Sequence, residues 1–141
     1  MATSDLLFKD KKEKILKESL LSTIAENKVK SFRKRNDRGF DLKDNPTSTQ
    51  LRRFYNDVLT LKNKIDHYDK DVKEEKFKQL LPYVKMLKAK VAYSKSRNNV
   101  NKEFKKFIDE YVDSINDLDD FYAFCDFFEA IVAYAPLYLK K

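Results

Sequence analysis

The sequence predicts an all-α protein, a compact bundle of five or six helices with a hydrophobic C-terminal helix at its centre. Three observations carry that prediction. Glycine occurs once and proline three times in 141 residues, too little turn chemistry for a sandwich or a barrel. Apolar residues recur at three- and four-residue steps, and strand-like alternation is missing. The stretch 121–138, FYAFCDFFEAIVAYAPLY, is apolar almost all the way round.

That last stretch sets the architecture. At 100° per residue Phe121, Phe124, Cys125, Phe128, Ile131, Val132 and Ala135 share one broad face. Ala123, Phe127, Ala130 and Tyr134 cover much of the opposite side, and only Asp119, Tyr122, Asp126 and Glu129 leave a narrow polar stripe. A helix of this kind needs cover on most sides. A membrane span would supply cover too, but Asp126 and Glu129 in its middle and Pro136 near its end argue for a core helix instead.

The chain is one domain's worth, able to bury roughly two thirds of its unfolded surface. Residues 1–46 read as an N-terminal helix and basic linker, and residues 47–141 as the helical core of the same single domain. Charged residues make up 38% and hydrophobic ones 42%, a globular composition. The net charge of +7 and a pI near 9.3 suit a polyanionic partner, although many basic proteins have none. Cys125, the one cysteine, cannot form an internal disulfide and reads as a small buried hydrophobe. The first residues, MATSDLLFKDKKEK, lack an apolar signal core, so the expected location is the cytoplasm.

Residues 4–27 read as a loose helix with Ile15, Leu16, Leu20, Leu21 and Ile24 inward, preceded by a solvated or frayed charged run over 9–14. Residues 28–46, with Lys28, Lys30, Arg33, Lys34, Arg35 and Arg38 and then Gly39, Asn45 and Pro46, read as a mobile basic linker. TSTQ at 47–50 has the form of a capping box, in which a hydroxyl and an amide satisfy two orphan N–H groups. The helix behind it carries Leu51, Phe54, Val58, Leu61 and Ile65 on one stripe. Arg52 and Arg53 stand outside that stripe, in a first turn where the dipole favours acids. A further helix over 72–97 turns Phe77, Leu80, Val84, Leu87 and Val91 inward, and Pro82 should kink or split it. Phe104, Phe107, Ile108, Tyr111, Val112 and Ile115 mark the next amphipathic helix.

No catalytic set emerges, and the expectation is a protein that is not an enzyme. His67, the sole histidine, has no second soft ligand beside it and reads as a surface residue. Cys125 has no histidine to activate it. Asp119 and Asp120 read as N-terminal helix acids. No glycine-rich phosphate loop is present, and neither a cofactor nor a metal is expected.

The positive signal is a stripe of Met86, Lys90, Tyr93 and Arg97, turned away from the Val84–Leu87–Val91 side. Two cations flanking an aromatic at helical spacing can hold two phosphates while the ring packs on a sugar or base. A solvated face with a stray tyrosine fits the same pattern. Acids gather later in the chain, among them Asp109, Asp113, Asp117, Asp126 and Glu129. A molecule basic in one part and acidic in another can dock head-to-tail on its own copies, and ordinary charge clustering fits as well.

Three stretches together, TSTQLRRFYNDV (47–58), LLPYVKMLKAKVAYSKSR (80–97) and DFFEAIVAY (126–134), resemble the small subunit of the type III-A CRISPR–Cas Csm interference complex. The resemblance covers residues 47–134. The first forty or so residues match nothing in the family pattern and read as a lineage-specific extension. Membership would imply a non-catalytic, all-helical subunit stacked in several copies beside a filament of Csm backbone subunits. The copies would line the channel holding the crRNA and its paired target RNA, and connect to the large polymerase-like subunit. The family's helix motif ending in arginine corresponds to Lys90, Tyr93 and Arg97. Its Q-x-R-like helix start corresponds to Gln50, Arg52 and Arg53. Ser94, Lys95 and Ser96 stand where the family has small residues, which adds a cation. The RNA-binding set implied is therefore Arg52, Arg53, Lys90, Tyr93 and Arg97, acting in antiviral defence without sequence specificity. The competing reading is a basic helical protein-interaction adaptor that binds no nucleic acid.

Overall fold

The computed structural model describes residues 6–33 and 46–141. In chain order they form a two-stranded antiparallel hairpin (β1, Phe8–Asp10; β2, Ile15–Leu16) and a π-helical turn over Leu20–Ile24. Six α-helices follow: α1 Ala25–Ser31, α2 Ser48–Asp66, α3 Lys73–Lys85, α4 Leu87–Ser96, α5 Lys102–Asp113 and α6 Leu118–Tyr138. The architecture is the expected helical bundle with one small hairpin added.

The C-terminal helix is its centre. Phe121, Phe124, Phe127, Phe128 and Ile131 of α6 are fully covered, and only the Asp126–Glu129 side reaches solvent. Around it the core is largely aromatic. Phe107 of α5 has ring neighbours in Phe124, Phe127 and Phe128 of α6 at 5.9–6.3 Å between centroids. Tyr55 of α2 packs on Phe128 at 5.8 Å, and Phe77 of α3 on Phe121 at 5.3 Å. Apart from the stacked Phe107–Phe124 pair, these are tilted or edge-to-face, which avoids the repulsion of directly facing rings. Among the described residues no helix is long and apolar enough to cross a membrane.

Helix starts follow local chemistry. Thr47 Oγ1 accepts the Gln50 N–H at 3.1 Å while Gln50 Oε1 accepts the Thr47 N–H at 2.7 Å, completing the capping box of α2. Asn101 caps α5 by accepting the Phe104 N–H at 3.0 Å, and its amide donates to the Phe32 carbonyl at 2.6 Å. One buried amide thus starts α5 and holds the segment that follows α1. Asp117 caps α6 in the same manner.

The N-terminal third departs from expectation. A loose helix over 4–27 is replaced by the hairpin and the π-helical turn, and Ile15 and Leu21 lie outside the core while Leu6, Leu7 and Phe8 lie within it. Leu6 and Leu7 are buried just ahead of β1, whose first residue Phe8 is buried as well, and with no Gly or Asn in the hairpin turn Lys14 takes the left-handed conformation at φ 60°. The basic linker does not begin at Lys28. Ala25, Val29 and Phe32 recur at four- and three-residue steps and are buried, so α1 continues through that stretch against α6. Lys28 lies over the Tyr111 ring at 5.5 Å and Lys30 over Tyr138 at 5.2 Å, their stems covering the aromatic core. Lys34, Arg35 and Arg38 lie outside the described residues.

Pro82 splits the expected helix over 72–97, one turn downstream of itself. α3 ends at Lys85 and α4 begins at Leu87, with Met86 between them donating its N–H to the Pro82 carbonyl at 3.0 Å. Phe77, Val84, Leu87 and Val91 are buried, as the stripe requires.

Candidate nucleic-acid interface

α2 and α4 flank one groove, and of the five predicted RNA-binding residues Arg53 alone is among those that line it. Arg52 and Arg53 are exposed in the second turn of α2, one turn later than the sequence suggested, and the first turn carries no acid. Lys90, Tyr93 and Arg97 are exposed on α4 and its C-cap, opposite the buried Leu87 and Val91. Between them lies a shallow cavity of about 260 Å³ lined by Gln50, Arg53, Phe54, Asp57, Ser94 and Asn99. Gln50 lines it while its carbonyl oxygen is engaged in the capping box, so its part there is to start the helix that presents Arg52 and Arg53.

Two of the basic side chains are pre-positioned. The Arg97 guanidinium lies 5.7 Å from the centroid of the Tyr93 ring, a cation–π contact one helical turn apart. Lys90 Nζ is 3.8 Å from the Asp57 carboxylate, which ties α4 to α2 across the groove. The end of α4 is a tight αL turn. Asn98 sits at φ 60°, its N–H donates to the Lys95 carbonyl at 3.0 Å, and the Asn99 N–H donates to that of Ser94 at 2.9 Å. This double bond pattern closes the helix in the absence of glycine and fixes where Arg97 leaves it.

The expected stripe is longer than the sequence reading had it. Tyr83, 61% exposed, extends it so that Tyr83, Met86, Lys90, Tyr93 and Arg97 follow at steps of three and four through the α3–α4 break. The missed signal was the lack of acids. From Lys76 to Lys102 the chain has seven lysines, one arginine and no Asp or Glu. Several of these cations have structural partners. Lys85 donates to the Val112 and Asp113 carbonyls at 2.7 and 3.1 Å, closing the end of α5, and burial pulls its pKa below the usual 10.5. Lys88 pairs with Asp113 at 2.5 Å.

Cys125 is buried, and burial pushes its thiol well up, so it stays protonated. His67 is the exposed C-cap residue of α2. No group of His, Cys, Asp and Glu able to hold a metal occurs among the described residues. Asp120 is the exception to the reading of plain helix acids, since it is 1% exposed and meets Lys11 of the hairpin turn at 2.7 Å.

Residues 19–141 match the protein family described as Csm2 Type III-A. The match begins at Ser19, well before the first of the resembling stretches, so the π-helical turn and α1 fall inside the family and only the hairpin region precedes it. No curated protein and no solved structure matches the chain.

Proposed function

Because the chain belongs to the Csm2 type III-A family and is a small subunit of the Csm complex, we propose that it holds RNA in that complex without catalysing its cleavage. Its Arg52, Arg53, Lys90, Tyr93 and Arg97 contact the backbone of the crRNA and its target RNA, indifferent to sequence. Several copies stack beside the Csm backbone subunits and reach the large polymerase-like subunit, the acidic side of one copy meeting the basic side of the next. The complex acts in the cytoplasm in antiviral defence, and no membrane takes part.

One observation carries the RNA reading. The acid-free span from Lys76 to Lys102 turns Phe77, Val84, Leu87 and Val91 inward and Tyr83, Met86, Lys90, Tyr93 and Arg97 outward, beside a second basic turn on α2. A face that only needed solvation would carry charges of both signs, and exposed tyrosines would add nothing to it.

The test is a salt titration of RNA affinity in the assembled complex. Each phosphate contact to single-stranded RNA contributes roughly 0.7 to the slope of log affinity against log salt. Replacing Lys90 and Arg97 together should flatten the slope by about 1.4, equally for unrelated sequences. Tyr93→Ala should weaken binding by about 1–3 kcal/mol at every salt concentration. Unchanged affinity and slope in the double variant would remove the stripe from the RNA path and leave the adaptor reading. Metal-dependent RNA cleavage by the purified chain would overturn the non-catalytic role.

A further inference from the structure

We propose that the cavity between the end of α2 and the face of α3 is a nucleotide-binding site, with the phosphate held by Lys64 and Lys76 and the base against Tyr68. The cavity measures about 420 Å³, within the roughly 300–1,000 Å³ usual for small-molecule sites. Its floor is apolar, formed by Ile65, which is 1% exposed, and half-buried Leu80. Its walls are Tyr68 and the two lysines, and the His67 imidazole and the Gln79 amide stand at its edge as further hydrogen-bonding groups.

The charge pattern selects the ligand. None of the lining residues is acidic. Asp66 is engaged elsewhere, by Lys62 at 2.9 Å and by the Tyr122 hydroxyl, and Glu75 pairs with Lys78 at 3.5 Å, while Asp69, Asp71 and Glu74 stand outside the lining. The carbonyls at the end of α2 disfavour an anion, and Lys64 in the last turn offsets them. Lys76 Nζ lies over the Tyr68 ring, 5.4 Å from its centroid, so one ring face carries the cation and the base would take the other. An acidic peptide would need the cations alone. A ligand that also uses a half-exposed ring over an apolar floor carries a flat base beside its phosphate.

This site is separate from the α2–α4 groove. Lys64 lies eleven residues beyond Arg53 on α2, about 16 Å along the helix axis. The two readings therefore fail independently.

The experiment is calorimetric titration of the full-length chain with adenosine 5′-monophosphate, and separately with inorganic phosphate and a glutamate-rich peptide. Binding of the nucleotide at micromolar to millimolar concentration is expected. Lys64→Gln with Lys76→Gln, and separately Tyr68→Ala, should each weaken it by about tenfold or more, with helical circular dichroism unchanged because these side chains lie at the surface. Arg97→Gln should leave it unaltered. No heat at millimolar nucleotide, phosphate binding as tightly as the nucleotide, tighter binding of the peptide, indifference to Tyr68→Ala, or loss in Arg97→Gln would each overturn the proposal.

Discussion

Lys90 already has an anionic neighbour. A phosphate entering the α2–α4 groove must share its ammonium with Asp57, 3.8 Å away, and must approach the Asp57 carboxylate to do so. An exposed pair at that distance contributes little to stability, about 0–1 kcal/mol, so Asp57 is a modest brake and not a pillar of the fold. Asp57→Asn should therefore raise RNA affinity about two- to fivefold at low salt, measured by filter binding against wild type, while thermal stability hardly moves. A fall in affinity would mean that Asp57 positions Lys90 for its phosphate, and no change would place Lys90 outside the path. The Lys90 position on the stripe was legible from spacing alone. Asp57 was not, because it becomes a neighbour only when two helices distant in sequence are laid side by side.

Among elements, α6 shows how far periodicity reaches. Its apolar circumference announced a central helix: Phe121, Phe124 and Phe128 are fully covered on the broad face of the wheel, and Phe127 is fully covered on the opposite side. Phe128 touches rings from α2 and α5 and from its own helix. Phe128→Ala should cost about 3–5 kcal/mol, seen as a shifted denaturant midpoint at unchanged slope, and a loss under about 1 kcal/mol would show that the neighbours close the gap. The capping box of α2 and the stripe of α5 were equally readable, since both are local. The hairpin and α1 were not. β1 and β2 are three and two residues long, shorter than any period can register, and α1 carries its buried Ala25, Val29 and Phe32 among so many cations that charge masked the spacing. Their stability comes from α6 and α5, not from their own propensity.

At the scale of the whole molecule, the hairpin is fastened to the start of α6 chiefly by Lys11, with Lys14 reaching Asp119 at 3.8 Å beside it. Lys11 Nζ lies 2.7 Å from both Asp117 and the buried Asp120. Burial pushes the Asp117 carboxyl up, but the hydrogen bonds from Lys11 and the backbone outweigh it and hold the group below its ordinary 3.8. Burial likewise pulls Lys11 down, and the two carboxylates outweigh it and hold the ammonium above 10.5. The carboxylate contribution is complete above pH 3.8 and lost as pH falls through the lowered value. The lysine contribution is complete below pH 10.5 and lost as pH rises through the raised one. Lys11→Met should cost about 1–3 kcal/mol at neutral pH, because it strands a buried carboxylate. The deficit relative to wild type should shrink toward both pH extremes in thermal melts, and a deficit independent of pH would show that the lysine acts through its stem.

Residues 6–33 find partners at the far end of the chain. Lys11 meets Asp117, the Phe32 carbonyl meets Asn101, and Glu26 accepts a hydrogen bond from Tyr138. A ribosome making this chain releases the N-terminal residues long before those partners exist. At about 5–20 residues per second, Leu7, Phe8, Leu20, Val29 and Phe32 wait on the order of 5–20 seconds in water, uncovered. Those residues are covered only once the helices that carry Asn101, Asp117 and Tyr138 have left the ribosome.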